Sequence, residues 1–184
     1  VWCGANWGGG DRPKETPACP PHLHWDLWLR PAPERPYHPT YHPANWRRWW
    51  DFGGGSLADM ACHYLHLPFW ALELGRPLTV EADGPPVHPE TCPIGLVVRY
   101  AFPARGAKPP VALTWYDGGR KPDALKALAY AEKAKDGSTR KVTVHEKWGS
   151  GVLFVGEKGS LVADYGNRKL FPELETVFMM PAES

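Results

Sequence analysis

Three side chains on one predicted helix, Asp59, His63 and His66, have the residue types and spacing for chemistry. Residues four and seven positions apart lie on the same face of a helix, so the sequence places all three on one stripe. A carboxylate beside an imidazole orients the ring and raises its basicity, which makes Asp59 and His63 a predicted catalytic pair for proton transfer. The three together also match the ligand types of a divalent metal site. The structural alternative is that Asp59 only caps the helix and the histidines make ordinary polar contacts.

A second group of candidates lies between residues 37 and 51, where aromatic rings alternate with Arg, Asn and Asp. Indole faces stack on the apolar faces of sugar rings, while polar neighbours bond to the sugar hydroxyls. This pattern predicts a small carbohydrate-like substrate. The predicted substrate-binding residues are Tyr41, His42, Trp46, Arg47, Trp49 and, from the helix, His66. The structural alternative is that these rings pack the segment onto a sheet.

Charge and motif content exclude several classes of function. The formal net charge is +1, from 21 Lys and Arg against 20 Asp and Glu, which gives no overall electrostatic case for binding nucleic acid or an acidic membrane. No run approaches the roughly 18–20 apolar residues of a membrane span. There is no G-x-S-x-G or P-loop motif, and the glycine clusters at 8–10, 53–55 and 118–119 do not fit G-x-G-x-x-G. We expect no nucleic-acid partner, no membrane contact and no dinucleotide bound by this chain alone.

The elements that must position these residues follow from length and pattern. The 184 residues predict a single domain of the α+β class. Residues 1–55 form a loop-rich aromatic segment, because closely spaced prolines prevent long regular elements. Residues 56–75 form one long helix, with a capping box from Ser56 to Asp59 and a bend or break at Pro68. Residues 76–184 form an open, mainly antiparallel sheet with one shorter helix inserted, both helices packing on one face.

Alternating apolar residues bounded by Gly and Pro predict five strands in that last segment. The predicted strands are 78–82, 96–102, 111–116, 152–155 and 160–165. The Ala- and Lys-rich stretch 123–133 predicts the shorter, exposed helix. The polar stretch 133–147 predicts a solvated loop, and 157–159 predicts a hairpin turn.

Cysteine usage, the two ends of the sequence and a short stretch near the start add further expectations. The four cysteines follow no zinc-binding spacing, and reduced, buried thiols are favoured over disulfides. The chain begins without Met at a strand-like 1–4 stretch, and a short helical turn is predicted at 25–29. It stops shortly after the apolar run 177–180, which predicts that the sequence is part of a larger or recombined protein.

Several multi-residue runs, taken in order, resemble one known family. The runs that carry this resemblance include Trp25–Leu29, Pro31–Tyr37, Tyr41–Trp46, Trp49–Gly53, Gly55–His63, Pro68–Leu72, Leu113–Gly119 and Gly151–Gly159. They resemble the C-terminal domain of the glucose–fructose oxidoreductase/inositol dehydrogenase (Gfo/Idh/MocA) family, in its bacterial predicted-dehydrogenase branch. The resemblance implies an α+β domain whose open antiparallel sheet often forms an oligomer interface. It also implies that the Asp-x-x-x-His pattern of Asp59 and His63 lies beside the substrate carbon, near a nicotinamide.

The sequence departs from that family pattern in four respects, one of which is that it stops before the last sheet strands and the closing helix that the resemblance leads us to expect. The N-terminal Rossmann domain that binds NAD(P) in the family is not in this sequence, and neither is the family's Glu-Lys-Pro lysine, for which Arg120-Lys-Pro122 is no equivalent. His66 stands where relatives commonly have Asp. NAD(P) is therefore implied by the family only, and hydride transfer would need a nucleotide domain from elsewhere.

Three hypotheses for function remain open from the sequence. The first is the substrate-binding and catalytic portion of an NAD(P)-linked sugar or polyol oxidoreductase. The second is a cofactor-free hydrolase in which Asp59 and His63, with or without a metal ion, activate water to cleave a lactone, ester or glycoside. The third is a non-catalytic carbohydrate-binding or oligomerisation module. In each case we expect a homo-oligomer formed through the sheet, and a bacterial cytoplasmic rather than periplasmic location.

Overall fold

The computed structural model describes residues 1–172, which form two compact units that divide after Pro122. The α+β class is confirmed, since helices accompany strands that pair antiparallel in every ladder. The prediction of one open sheet is corrected, because the described strands form three separate sheets of three, two and three strands. The apolar run 177–180 lies outside the described residues.

The sheet of the first unit has the order β1-β2-β3. Its strands are β1 (Thr79–Asp83), β2 (Val97–Phe102) and β3 (Val111–Tyr116), each within a few residues of its predicted position. The predicted strand at the N-terminus is present as a short parallel bridge of Trp2 to Tyr116 at the far edge of β3. The Cys3 amide donates to the Tyr116 carbonyl at 2.9 Å, and Trp2 is fully buried.

The two faces of this sheet differ because side chains alternate along each strand. Val98, Phe102 and Trp115 are buried on one face. The Phe69 ring packs edge-on against Phe102 there, with centroids 5.4 Å apart. The opposite face carries exposed side chains from all three strands, which are Thr79, Glu81, Asp83, Arg99, Ala101 and Ala112.

The predicted long helix is two helices, α2 (Gly55–Tyr64) and α3 (His66–Ala71). The predicted break at Pro68 is confirmed, and it falls at Leu65. Pro68 has no amide hydrogen to donate to the carbonyl of residue 64, and its ring clashes with that carbonyl, so the ladder is interrupted just after it. The predicted capping box is wrong. Ser56 instead accepts from the Trp7 amide at 2.8 Å and donates to the Ala5 carbonyl at 3.1 Å, which ties the N-terminal segment to α2.

The loop-rich segment before α2 contains two short helical turns. The first is α1 (Trp25–Leu29), at the predicted position, and the second is a 3-10 turn at Asn45–Arg48. No helix of the described residues has the length and apolar content needed to cross a lipid bilayer. All four cysteines are free thiols, as the sequence favoured, but only Cys3 and Cys92 are buried as expected; Cys19 is half-buried and Cys62 is exposed.

The second unit corrects the prediction of a helix at 123–133. Only Asp123–Lys126 is helical, as a 3-10 turn, and Ala129–Lys133 is strand β4. β4 pairs with β5 (Thr139–Thr143), which lies in the stretch predicted to be a solvated loop. Helix propensity is a weak preference, and here the pairing of Tyr130 with Val142 across the two strands overrides it.

The rest of the second unit is one short helix and a second sheet. α4 (Val144–Lys147) follows β5 directly and begins with a capping box between Thr143 and Glu146. The sheet consists of β6 (Val152–Gly156), β7 (Gly159–Ala163) and β8 (Arg168–Phe171), in that order. The predicted hairpin turn at 157–159 is confirmed, because Gly156 pairs with Gly159 across it.

Candidate functional site

An ion pair joins the two groups of candidate residues. Arg47 Nε donates to Asp59 Oδ1 at 2.8 Å, and the two side chains are 29% and 23% exposed. Arg47 belongs to the 3-10 turn of the aromatic segment, whereas Asp59 lies in the middle of α2. The short turn between them is compact, because Gly53 approaches the Arg47 backbone too closely for a side chain. The structure therefore brings the aromatic segment against the helix face that carries Asp59.

The Arg47 guanidinium is also held by aromatic rings. Its central carbon lies 4.5 Å from the centroid of the Trp46 ring and 5.3 Å from that of Trp7. A guanidinium near aromatic faces is stabilised by cation–π attraction. Trp46 and Arg47 are both half-buried, so each presents part of its surface to solvent beside Asp59.

The two histidines of the predicted stripe are exposed. His63 lies one helical turn after Asp59 on α2, as predicted, while His66 is on α3 and stacks on Trp70 with ring centroids 6.0 Å apart. Among residues 1–172, no group of three or more His, Cys, Asp or Glu side chains is arranged to hold a metal ion. The predicted set of Asp59, His63 and His66 is therefore not assembled, because Asp59 is bonded to Arg47 and His66 is stacked on Trp70.

Two of the predicted substrate-binding rings are core residues. Tyr41 and Trp49 are each 2% exposed, and their rings meet edge to face with centroids 5.0 Å apart. A ligand at the surface does not reach either ring, so we assign both to the packing of the aromatic segment. His42 is half-buried and lies edge-on to Trp28, with ring centroids 5.9 Å apart.

Sequence reasoning missed Arg35, the residue that organises this packing. Its side chain is 2% exposed, its central carbon lies 5.3 Å and 4.9 Å from the Tyr41 and Phe52 ring centroids, and its Nη2 is ion-paired with Asp51. The Arg35 carbonyl accepts from the Trp25 indole at 2.8 Å. The local sequence, a single Arg between prolines, gives no signal of burial.

A cavity of about 230 Å³ opens beside Trp46. The rings of Trp28 and Phe52 form part of its lining, together with the carboxylate-bearing Asp51. Trp28 and Phe52 contact each other, with ring centroids 4.8 Å apart. The cavity is thus an aromatic-walled space next to the turn that holds Arg47.

The glycine clusters do not form a phosphate cradle. A dinucleotide site needs open backbone amides at a glycine-rich turn between a strand and a helix. A Cβ added at Gly53 would lie 2.6 Å from the Arg47 carbonyl oxygen, and one at Gly55 would lie 2.6 Å from the Cys92 side chain. Gly8 and Gly118 are equally close to backbone atoms of the chain. These glycines allow the chain to pack on itself, and none of the three clusters lies between a β-strand and an α-helix, as a Rossmann phosphate-binding turn does.

Comparison with known families agrees with this architecture. The family model GFO_IDH_MocA_C2, described as an oxidoreductase family C-terminal alpha/beta domain, matches residues 2–108. The chain belongs to the Gfo/Idh/MocA oxidoreductase family. The resemblance to this C-terminal domain is thereby confirmed, while the runs Leu113–Gly119 and Gly151–Gly159 lie beyond the matched residues. No match was found among curated proteins.

The part of the chain that matches the Gfo/Idh/MocA domain contains all the candidate residues described above. It covers the aromatic segment, α2, α3, β1 and β2, and it ends before β3. Asp59 and His63 stand four residues apart within α2, the spacing singled out from the sequence. The candidate site is therefore the surface formed by Trp46, Arg47, Asp59 and His63.

A second His–Asp pair in this Gfo/Idh/MocA domain has a structural role. His88 Nε2 lies 3.0 Å from Asp11 Oδ1, and Nδ1 accepts from the amides of Glu90 and Thr91. The Thr91 hydroxyl lies 3.1 Å from His88 Nδ1, which resembles a nucleophile–base–acid arrangement. Thr91 is completely buried, however, and its hydroxyl donates to the Gly10 carbonyl. The group anchors the N-terminal segment and presents no nucleophile.

Proposed function

We propose that this chain is the substrate-binding portion of a sugar or polyol oxidoreductase, with Asp59 and His63 handling the proton of the reacting hydroxyl. The observation that carries the proposal is the Arg47–Asp59 ion pair. It sets a carboxylate beside a guanidinium that packs on an indole, one helical turn before the exposed His63 imidazole. Family membership supplies the reaction class, and this surface supplies the substrate-facing groups.

The chemistry assigned to the two residues follows from the reaction class. Oxidation of an alcohol removes a hydride from carbon and a proton from oxygen, so a base must lie beside the hydroxyl. His63 is exposed on α2 and serves as that base, holding the proton on its imidazole. Asp59, whose Oδ1 is bonded to Arg47, is a positioned acceptor one helical turn away. The Gfo/Idh/MocA family uses NAD(P) as hydride carrier, and the proposal concerns the substrate side alone.

The neighbouring side chains fit a polyol. The exposed part of Trp46 offers an apolar surface for the C–H face of a sugar ring. Arg47 donates hydrogen bonds to hydroxyls at the edge of that ring, and His42 and His66 are proposed as further polar contacts on the two sides of the site. Tyr41 and Trp49 take no direct part, because both are buried.

Thermal denaturation in the presence of ligands tests the proposal. A ligand that binds only the folded chain raises its melting temperature. Glucose and myo-inositol are expected to raise it for the wild type but not for Asp59→Asn or His63→Ala. His22→Ala, an exposed histidine elsewhere in the first unit, is the control and should keep the shift. An unchanged shift in both site variants would overturn the assignment, and turnover of gluconolactone without dinucleotide would support the hydrolase hypothesis instead.

A further inference from the structure

The cavity beside Trp46 has the chemistry of a sugar subsite. Three of its lining residues are aromatic, namely Trp28, Trp46 and Phe52, and two are charged, namely Arg30 and Asp51. Aromatic walls suit the apolar faces of a sugar ring, and one donor and one acceptor at the edge suit its hydroxyls. The volume of about 230 Å³ lies below the range of about 300–1,000 Å³ typical of pockets for drug-sized ligands, which indicates room for one ring.

The charges in this cavity favour a neutral ligand. The Oδ2 atom of Asp51 is ion-paired with the buried guanidinium of Arg35, which offsets the charge of the carboxylate. The second oxygen, Oδ1, is not part of that pair, and the Asp51 side chain is 31% exposed. Arg30 is exposed, and no ion pair of residues 1–172 involves it. The cavity therefore holds one carboxylate acceptor and one guanidinium donor with little net charge.

The cavity is connected to the candidate site through Trp46. This indole lines the cavity, and its ring is also the one that lies 4.5 Å from the Arg47 guanidinium. Arg47 in turn holds Asp59. A ligand that fills the cavity thus contacts the same indole that flanks the Arg47–Asp59 pair.

We propose that this cavity binds the non-reacting ring of a neutral glycoside or disaccharide. The reacting ring then lies at Asp59 and His63, a part of the inference that rests on the proposed function. The substrate class is accordingly a carbohydrate of at least two rings, or a sugar with a ring-sized aglycone. Asp51 and Arg30 are the residues that select the hydroxyl pattern of the non-reacting ring.

Isothermal titration calorimetry with glucose and cellobiose tests this inference. The wild type is expected to bind cellobiose about tenfold more tightly than glucose, the ratio that corresponds to about 1.4 kcal/mol. Trp46→Ala and Arg30→Ala are expected to remove the difference in affinity between cellobiose and glucose. Arg30 is exposed, so its variant should keep the fold even if Trp46→Ala does not. Trp50→Ala is the matched control, because Trp50 is an exposed indole of the same segment that does not line the cavity.

The Asp59→Asn variant separates failure of this inference from failure of the proposed function. If the subsite and the proposed function are both correct, Asp59→Asn weakens the binding of glucose and of cellobiose equally, and the ratio of their affinities is unchanged. If Arg30→Ala and Trp46→Ala leave the ratio unchanged, or the wild type binds the two sugars equally, the cavity is not a subsite. If only the cavity variants affect binding, the subsite stands and the role of Asp59 is wrong. If the wild type binds neither glucose nor cellobiose, both the subsite and the proposed function are wrong.

Discussion

Arg47 Nε donates a 2.8 Å hydrogen bond to Asp59 Oδ1, and this bond ties the aromatic segment to helix α2. The two residues are only 12 positions apart in the chain, but they belong to different elements separated by a glycine-rich turn. The pair is partly sheltered from solvent by the Trp46 and Trp7 rings, so screening by water is reduced relative to an open surface pair. The site on α2 thus depends on the conformation of the segment before it.

This relationship predicts energetic coupling between Arg47 and Asp59. A double-mutant cycle with Arg47→Ala and Asp59→Ala, followed by urea unfolding, should give a coupling free energy of about 1 kcal/mol. The same cycle on Arg120 and Asp83, whose charged atoms are 3.5 Å apart on more exposed side chains, is the matched control. That control should give about 0–0.5 kcal/mol. Equal coupling in the two cycles would show that the sheltered geometry at Arg47 has no energetic consequence.

Arg35 should be essential to the stability of the aromatic segment. Replacing it with Ala removes its contacts with Tyr41 and Phe52 and leaves Asp51 without its cation. We expect the free energy of unfolding to fall by about 2–3 kcal/mol, because Asp51 is partly exposed and its isolated charge is partly solvated. Arg30→Ala, an exposed arginine five positions earlier, should change it by less than about 0.5 kcal/mol. A variant at Arg35 as stable as the one at Arg30 would contradict this assignment.

Burial predicts the order in which the cysteines react. Cys92 is 1% exposed, and burial raises the pKa of its thiol to about 11, whereas Cys62 is exposed. Mass spectrometry after brief alkylation with iodoacetamide at pH 8 should find Cys62 modified and Cys92 unmodified.

The same pKa shift has a consequence for stability in alkaline solution. Between pH 9 and pH 11 the folded chain keeps the Cys92 proton that the unfolded chain loses, so the thiol's contribution to stability is lost as pH rises through this window. Cys92→Ala should flatten that part of the stability profile. Rapid alkylation of Cys92 in the native protein, or an unchanged alkaline profile in the variant, would refute the assignment.

The exposed face of the first sheet predicts self-association. Glu81 and Arg99 are register partners on that face, with Ala101 and Ala112 beside them, so a second copy can lie against it with opposite charges facing. Light scattering after size-exclusion chromatography should give a dimer or larger, and Arg99→Glu should shift it towards monomer. Arg76→Glu, an exposed site outside the strands, should leave the mass unchanged. A wild-type monomer at all concentrations would rule out this interface.

The elements that could be predicted are those whose residues follow a local rule. Strand β3 and the turn after Gly156 follow from alternation and a glycine, and the break before Pro68 follows from the missing amide. Strand β4 was predicted as a helix because Ala, Leu and Lys have high helix propensity, while its actual partner β5 comes later in the chain. The two strands form a local hairpin in which Lys133 pairs with Thr139, and the Asp136-Gly137 turn between them is a sequence signal of such a hairpin. The prediction gave more weight to helix propensity than to this turn.

The candidate site shows the same division. The placement of Asp59 and His63 one helical turn apart could be predicted from their spacing, and Trp46 was selected as a candidate because indoles suit sugars. The burial of Tyr41 and Trp49 and the role of Arg35 could not, since they depend on how a proline-rich segment folds on itself. The pairing of Arg47 with Asp59 could not be predicted either, because it is a tertiary contact between two different elements.

Two-dimensional amide NMR during titration with myo-inositol and glucose tests the central claim most directly. If the surface of Arg47, Asp59 and His63 binds the substrate, the largest amide shifts should fall at residues 45–48 and 59–66. They should saturate with ligand and disappear in Asp59→Asn and His63→Ala. Shifts confined to other parts of the chain, or the same saturable shifts in both variants, would contradict the proposed site.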